Sequence, residues 1–138
     1  MLILDSNTIS YYLRGDPQVV PRFQALSPAE LGVPAVVEYE LRFGLMRLPQ
    51  EAAVPRLAAL ERLLRPMQSL PFDSECAAHA ARVRAVLEAA GTPGPYHTLI
   101  ATTALRHQST LVTRNVREFA RVPGLQWLNW HDGGPAAG

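Results

Sequence analysis

Residues 2–15 read LILDSNTISYYLRG, and the parsing of that run decides the fold. LILD, at 2–5, is a short apolar run that ends in an acid, the pattern of a buried strand. Ser6 follows as a helix N-cap candidate, and NTISYYLRG carries helical character to a stop at Gly15. A strand therefore delivers the carboxylate of Asp5 to the point where a helix begins. In open parallel sheets, ligands bind beyond the carboxyl ends of the strands. That makes Asp5 the first candidate site residue.

The same alternation continues downstream. A helix is expected from Pro17 to Ala25, then a strand at LGV (31–33) and a helix over 34–48 with Pro34 at its first position. Residues 49–65 read as a helix with Leu57, Leu60, Leu63 and Leu64 on one stripe. MQSLPF (67–72) is a strand candidate. Residues 73–91 form the clearest helix, capped by Asp73, with Glu75 in its first turn and Gly91 at its end. Pro95 opens another helix reaching Arg106 or His107. STLVTRN (109–115) is β-rich, REFARV a helical turn and LQWLNW (125–130) a last strand. Strands alternating with helices specify an α/β fold with a mainly parallel sheet in one domain, residues 1–130. Residues 131–138, HDGGPAAG, read as a flexible tail that includes His131. Asn115 ends its strand as Asp5 ends the first, so the two should lie close together.

The 138-residue composition is that of an ordinary globular protein, 48% hydrophobic and 18% charged. No apolar run approaches the roughly 20 residues of a membrane span. MLILD enters a strand directly, without a basic region or cleavage site, so the cytoplasm is the expected location. Cys76 is the only cysteine, which excludes an intrachain disulfide and a thiolate metal cluster. Its alanine-rich helical surroundings suit a small core residue. The net charge is +1, and all 13 basic residues are arginine. Genomic composition accounts for that bias; alternatively, some of these planar forks grip phosphates. Any nucleic-acid contact has to be a local patch, because the balance is far from that of a strongly basic duplex binder.

Four segments offer polar side chains where the chain leaves a strand or enters a helix: LDSNTIS around Asp5, VEYELRFGL around Glu40, GPYHTLIATTAL around His97, and LVTRNVREF around Asn115 and Glu118. Each has an ordinary explanation when taken alone, as a cap or a solvated charge. Together, in this order and spacing from residue 2 to about 130, they resemble the PIN-domain ribonucleases, and within them the VapC toxins of bacterial toxin–antitoxin pairs. The resemblance implies a three-layer α/β/α fold around a twisted, mainly parallel sheet. It also implies a metal-dependent endoribonuclease. Phosphodiester cleavage needs an activated water, an in-line geometry and positive charge against the phosphate, all of which Mg²⁺ or Mn²⁺ supplies. Such ions want oxygen ligands, so a few carboxylates in a cleft suffice.

By that resemblance Asp5 matches the first family acid and Glu40 the second. Glu38, about 200° away around the helix, is expected to be a solvated or ion-paired neighbour. The fourth acid maps onto Asn115 and Glu118, with the amide holding a water or a neighbouring ligand and Glu118 supplying charge. Asn7 and Thr8 match polar positions beside the first acid, able to bond Asp5 or the scissile phosphate. Arg42, Arg114 and Arg117 are near these acids in sequence and are candidates for the RNA backbone.

The family's third acid is the Asp of the pattern GPYDTLIA, and here His97 stands in its place. The rest of that helix fits, with Ile100, Ala101 and Ala104 on one stripe. Three readings stay open for His97. It binds metal through a ring nitrogen, which favours Mn²⁺, Zn²⁺ or Ni²⁺ over Mg²⁺. It removes a charge, pairs with Asp5 or Glu40, and leaves the nuclease impaired or inactive. Or it points into solvent. His79 and His107 read as helix-surface residues. The metal set under the resemblance is Asp5, Glu40, His97 and Glu118, with Mg²⁺ as cofactor (Mn²⁺ as alternative) held weakly because of His97. The resemblance further implies RNA as substrate, with a tRNA anticodon stem-loop first because of the DSNTIS variant, and a homodimer that joins a VapB-type antitoxin in a larger complex. The competing class is a non-catalytic PIN module that dimerises and binds antitoxin or RNA.

Overall fold

The computed structural model describes residues 1–91 and 95–131. Five short strands lie parallel in the order β3-β2-β1-β4-β5: β1 (Leu2–Leu4), β2 (Leu31–Pro34), β3 (Gln68–Leu70), β4 (Thr110–Val112) and β5 (Trp127–Leu128). The central strands are apolar on both faces. Ile3, Leu4, Leu31 and Leu111 are fully buried and Val112 nearly so, as expected where helices cover a parallel sheet on both sides. The edges are wetter, with Gln68 and Ser69 of β3 and Trp127 of β5 exposed.

The helices are α1 (Ser6–Leu13), α2 (Val19–Gln24), α3 (Ala35–Met46), α4 (Gln50–Leu64), α5 (Ser74–Ala89), α6 (Pro95–Arg106) and α7 (Val116–Phe119), with a 3-10 turn at Pro28–Glu30. The architecture is the expected three-layer α/β/α fold. Ile100, Ala101 and Ala104 of α6 are 3%, 0% and 0% exposed, so the small residues do let α6 lie close to the sheet. In β2, Gly32 leaves room for the ends of two side chains. A Cβ there would stand 2.8 Å from Met1 Sδ and 2.9 Å from Leu70 Cδ1.

Three local expectations need correction. Ser6 is not the cap of α1. Asp5 holds that position in an extended conformation, and its Oδ1 accepts the Thr8 backbone N–H at 2.8 Å. A carboxylate satisfies an orphan helix amide at least as well as serine. Pro34 does not open α3 from inside. It ends β2 opposite Leu70 and serves as the N-cap, with ψ of 144°. His131 does not belong to a frayed tail. Its side chain is 7% exposed, its Nε2 is 3.1 Å from Asp16 Oδ2, and its ring meets Tyr11 edge-on at 4.7 Å. The remainder of the expected tail, 132–138, lies outside the described residues. Cys76 is fully buried, as its surroundings suggested.

Candidate functional site

Strand β1 pairs with β4 in the register Leu4↔Val112, so both chains leave the sheet at the same level. Asp5 follows one strand and Asn115 the other. Both line a pocket of about 150 Å³ with Ser6, Asn7, Glu40, Tyr96, His97, Ile100 and Phe119. Parallel pairing of residues more than 100 apart thus brings four segments of the chain to one end of the sheet, as Asp5 and Asn115 alone suggested.

Asp5 is 4% exposed and fixed by the Thr8 amide. Thr8 is itself buried at 3%, and its hydroxyl donates to the Val112 carbonyl at 3.2 Å. Of the two partners expected for Thr8, Asp5 is the one it meets, through its backbone amide, while its hydroxyl ties α1 to β4. Asn7 is exposed at the pocket's rim.

Glu40 comes from α3. Burial pushes its carboxyl above the usual range; His97 acts against that rise, Asp5 adds to it, and the Ser6 hydroxyl opposes it. Its Oε1 is buried with no hydrogen-bond partner. A buried acceptor without a donor is costly, and an oxygen held in that state beside a second carboxylate suits a cation. Glu38, two residues earlier, is on the other side and pairs with Arg42 at 2.8 Å, as expected. Arg42 is also 3.2 Å from Glu61 of α4. Its guanidinium therefore serves the α3–α4 surface and does not line the acid pocket.

His97 sits in the first turn of α6. Its ring packs edge-on against Phe119, centroids 5.1 Å apart at 81°. Nε2 lies 3.2 Å from Asn115 Nδ2, and Nδ1 lies 3.1 Å from Glu118 Oε2. The second approach is off the hydrogen-bonding direction, so Nδ1 is buried without an aligned partner. The contact is electrostatic in character. With Nε2 accepting from the Asn115 amide, Nδ1–H faces Glu118 without an aligned acceptor. His97 thus lies between the acid pocket and α7: its side chain is 37% exposed, it lines the pocket and acts electrostatically on Glu40, and Asn115 approaches its Nε2.

This arrangement bears on the four-residue metal set. Among the described residues, no three His, Cys, Asp or Glu side chains stand together closely enough to hold a metal ion. Asp5, Glu40 and His97 line one pocket, but Glu118 does not; it stays beside His97 on the α7 side. The two carboxylates fit a hard divalent ion, and the third corner carries nitrogen where oxygen would be preferred.

Arg114 and Arg117 flank Asn115 and are both exposed. Arg114 reaches away from the acids to the Tyr11 hydroxyl at 3.3 Å. Ser6 and Tyr96 are pocket residues that sequence reasoning did not assign. Ser6 could have been found from its position directly after the first acid, inside the first helical turn.

A PIN domain match spans residues 2–125, and the chain belongs to the PIN-domain family. Within it the chain is similar to VapC and FitB toxins. It is 30% identical to the tRNA(fMet)-specific endonuclease VapC of Salmonella typhimurium over 129 residues, covering 93% of this chain and 96% of the relative. It is 31% identical to the toxin FitB of Neisseria gonorrhoeae, covering 96% of this chain and all of the relative. The DNA-bound VapBC structure from Salmonella typhimurium matches with a TM-score of 0.84 at 30% identity, over 94% of this chain and 97% of that one. FitAcB from Neisseria gonorrhoeae matches at 0.86 and 29% identity, over 95% and 99%. PIN-domain ribonucleases generally depend on divalent metal. No helix among the described residues is long and apolar enough to cross a membrane.

Proposed function

We propose that this chain is the ribonuclease toxin of a toxin–antitoxin pair, acting in the cytoplasm on RNA at the Asp5–Glu40 pocket, and that His97 impairs it. The carrying observation is the convergence of Asp5, Glu40, His97 and Asn115 at the carboxyl ends of β1 and β4. The relatives' names support the reaction, since one is a tRNA(fMet)-specific endonuclease and another is called a ribonuclease. They also support a tRNA as the first substrate to test. The matching VapBC and FitAcB complexes support an antitoxin partner. A homodimer is part of the same proposal. Tyr39, Phe43, Met46 and Tyr96 are 45–64% exposed, a composition typical of interface cores.

Asp5 and Glu40 would hold the divalent ion, Mg²⁺ or Mn²⁺. When bound, such an ion lowers the pKa of a water and offsets charge on the phosphate. The chain's own groups do the rest. The Thr8 amide keeps Asp5 oriented, Asn7 offers an amide at the rim, and Asn115 holds His97. His97 brings no negative charge to the pocket where the resemblance expects a carboxylate, so affinity for Mg²⁺ falls. The missing carboxylate also favours the second reading, a module that binds antitoxin or RNA without cutting.

Cleavage of a tRNA anticodon stem-loop by this chain and by His97→Asp, each with Mg²⁺ and with Mn²⁺, tests the proposal. The expected result is weak or no cutting by the parent and clear cutting by the variant. Equal cutting by both would remove the impairment from His97, and no cutting by either would remove the nuclease reading.

A further inference from the structure

One face of α1 runs away from the acid pocket. Asn7, Tyr11 and Arg14 are spaced i, i+4 and i+7, so they share that face. At 1.5 Å per residue, Tyr11 lies roughly 6 Å beyond Asn7 along the axis, about the spacing of successive phosphates in an extended strand. Two guanidinium groups converge there. Arg14 Cζ lies over the Tyr11 ring at 5.2 Å from its centroid, and Arg114 Cζ at 5.5 Å. The two cannot be farther apart than the sum of those distances. Arg114 additionally reaches the Tyr11 hydroxyl at 3.3 Å.

This cluster lacks the counter-charge that a structural ion pair would have. Among the described residues neither Arg14 nor Arg114 pairs with a carboxylate, and both are exposed. The nearest acid in sequence, Asp16, is occupied by His131 and by the amides of Gln18 and Val19. The ring between the arginines is held in place, because buried His131 meets it edge-on at 4.7 Å. Two positive charges gathered at one fixed ring attract an anion together. Arginine forks bind phosphate through two donors at once.

We propose that Arg14 and Arg114, seated on Tyr11, form a phosphate-binding subsite for the RNA backbone about one nucleotide from the acid pocket. The subsite rests on the ribonuclease reading, and it identifies the substrate's path as running along α1 towards its C-terminus. Arg114 comes from the strand end that also carries Asn115, so the subsite and the pocket are joined through one peptide bond. Tyr11 acts here as a positioning residue.

The test is binding of a short, unstructured, fluorescently labelled RNA by anisotropy, in chelator so that no cleavage intervenes, across a series of salt concentrations. Arg14→Gln and Arg114→Gln are compared with Arg82→Gln, an exposed arginine on α5 far along the chain. Thermal melts establish that each variant folds. Each subsite variant is expected to weaken binding about fivefold and to make the salt slope shallower by about 0.7, the value for one phosphate contact on a single strand. Arg82→Gln should match the parent. A double variant that keeps the parent's affinity and slope overturns the subsite, and the pair then serves another anion, such as an acidic segment of a protein partner. Cleavage by His97→Asp separates the two levels. If RNA binding is lost in the double variant yet His97→Asp cuts nothing, the subsite stands and the nuclease reading falls. If His97→Asp cuts equally with and without both arginines, the subsite falls and the nuclease reading stands.

Discussion

His97 Nδ1 stands 3.1 Å from Glu118 Oε2, so the residue that the resemblance sets against the family's third acid faces an acid. Aspartate at position 97 would instead set carboxylate against carboxylate, beside the pair already formed by Asp5 and Glu40. The metal-free His97→Asp variant should therefore be less stable than the parent, with a melting temperature lower by roughly 2–5 °C. Mn²⁺ should reverse the order. At about 100 times the dissociation constant, a bound ion adds roughly 2.7 kcal/mol to the folded state, and the variant should gain more than the parent. Melts in chelator and in Mn²⁺ check this. Identical metal responses in both proteins would mean that position 97 is not a corner of the site.

Asp5 has two separable duties, as a helix cap and as a charge in the pocket. Asp5→Asn keeps an acceptor for the Thr8 amide and loses the charge. Asp5→Ala loses both. In denaturant titrations Asp5→Ala should lose about 1–2 kcal/mol and Asp5→Asn only a few tenths. In a His97→Asp background both should lose RNA cleavage. Equal destabilisation by the two substitutions would show that the cap contributes nothing measurable.

The fold was legible because the central strands are continuous apolar runs and the helices begin at strong signals such as Asp73, whose side chain does accept the Cys76 amide at 2.9 Å. The site's location followed from Asp5 and Asn115 alone, through the rule that parallel strands present their carboxyl ends together. Side-chain commitments were not legible. Sequence distance put Arg42 beside Glu40, but α4 supplies Glu61, 19 residues away, and draws the guanidinium to another surface. The Thr8 hydroxyl's partner was not legible either, because the Val112 carbonyl lies 104 positions later. His131 looked like tail for the same reason: Asp16 is 115 residues away. The engagement of His97 by Asn115 and Glu118 likewise depends on how α7 packs against α6, which no local pattern encodes.

Arg42 should be silent in RNA binding. With its fork engaged by Glu38 and Glu61 and lying outside the acid pocket, Arg42→Gln is expected to leave RNA affinity and its salt slope unchanged. A double-mutant cycle between Arg42 and Glu38 should return about 0.3–0.5 kcal/mol, the usual worth of a partly exposed i,i+4 pair. A shallower salt slope for Arg42→Gln would place RNA across the α3–α4 surface.

Asp16 gives the chain a defined acid sensitivity. Burial alone would raise its pKa, but amide hydrogen bonds from Gln18 and Val19 and the contact with His131 outweigh it and hold the carboxyl below its ordinary 3.8. A folded-state pKa below the unfolded one means that folding favours the ionised form. That contribution is complete at neutral pH and drains away as pH falls through the ordinary value towards the folded one. Asp16→Asn keeps an oxygen for the two amides and cannot ionise. The gap in unfolding free energy between parent and variant should therefore narrow as pH falls below about 4. Urea titrations across that fall in pH measure it. A gap that stays constant down to the acid limit would show that the Gln18, Val19 and His131 contacts together do not favour the ionised carboxyl over the neutral one.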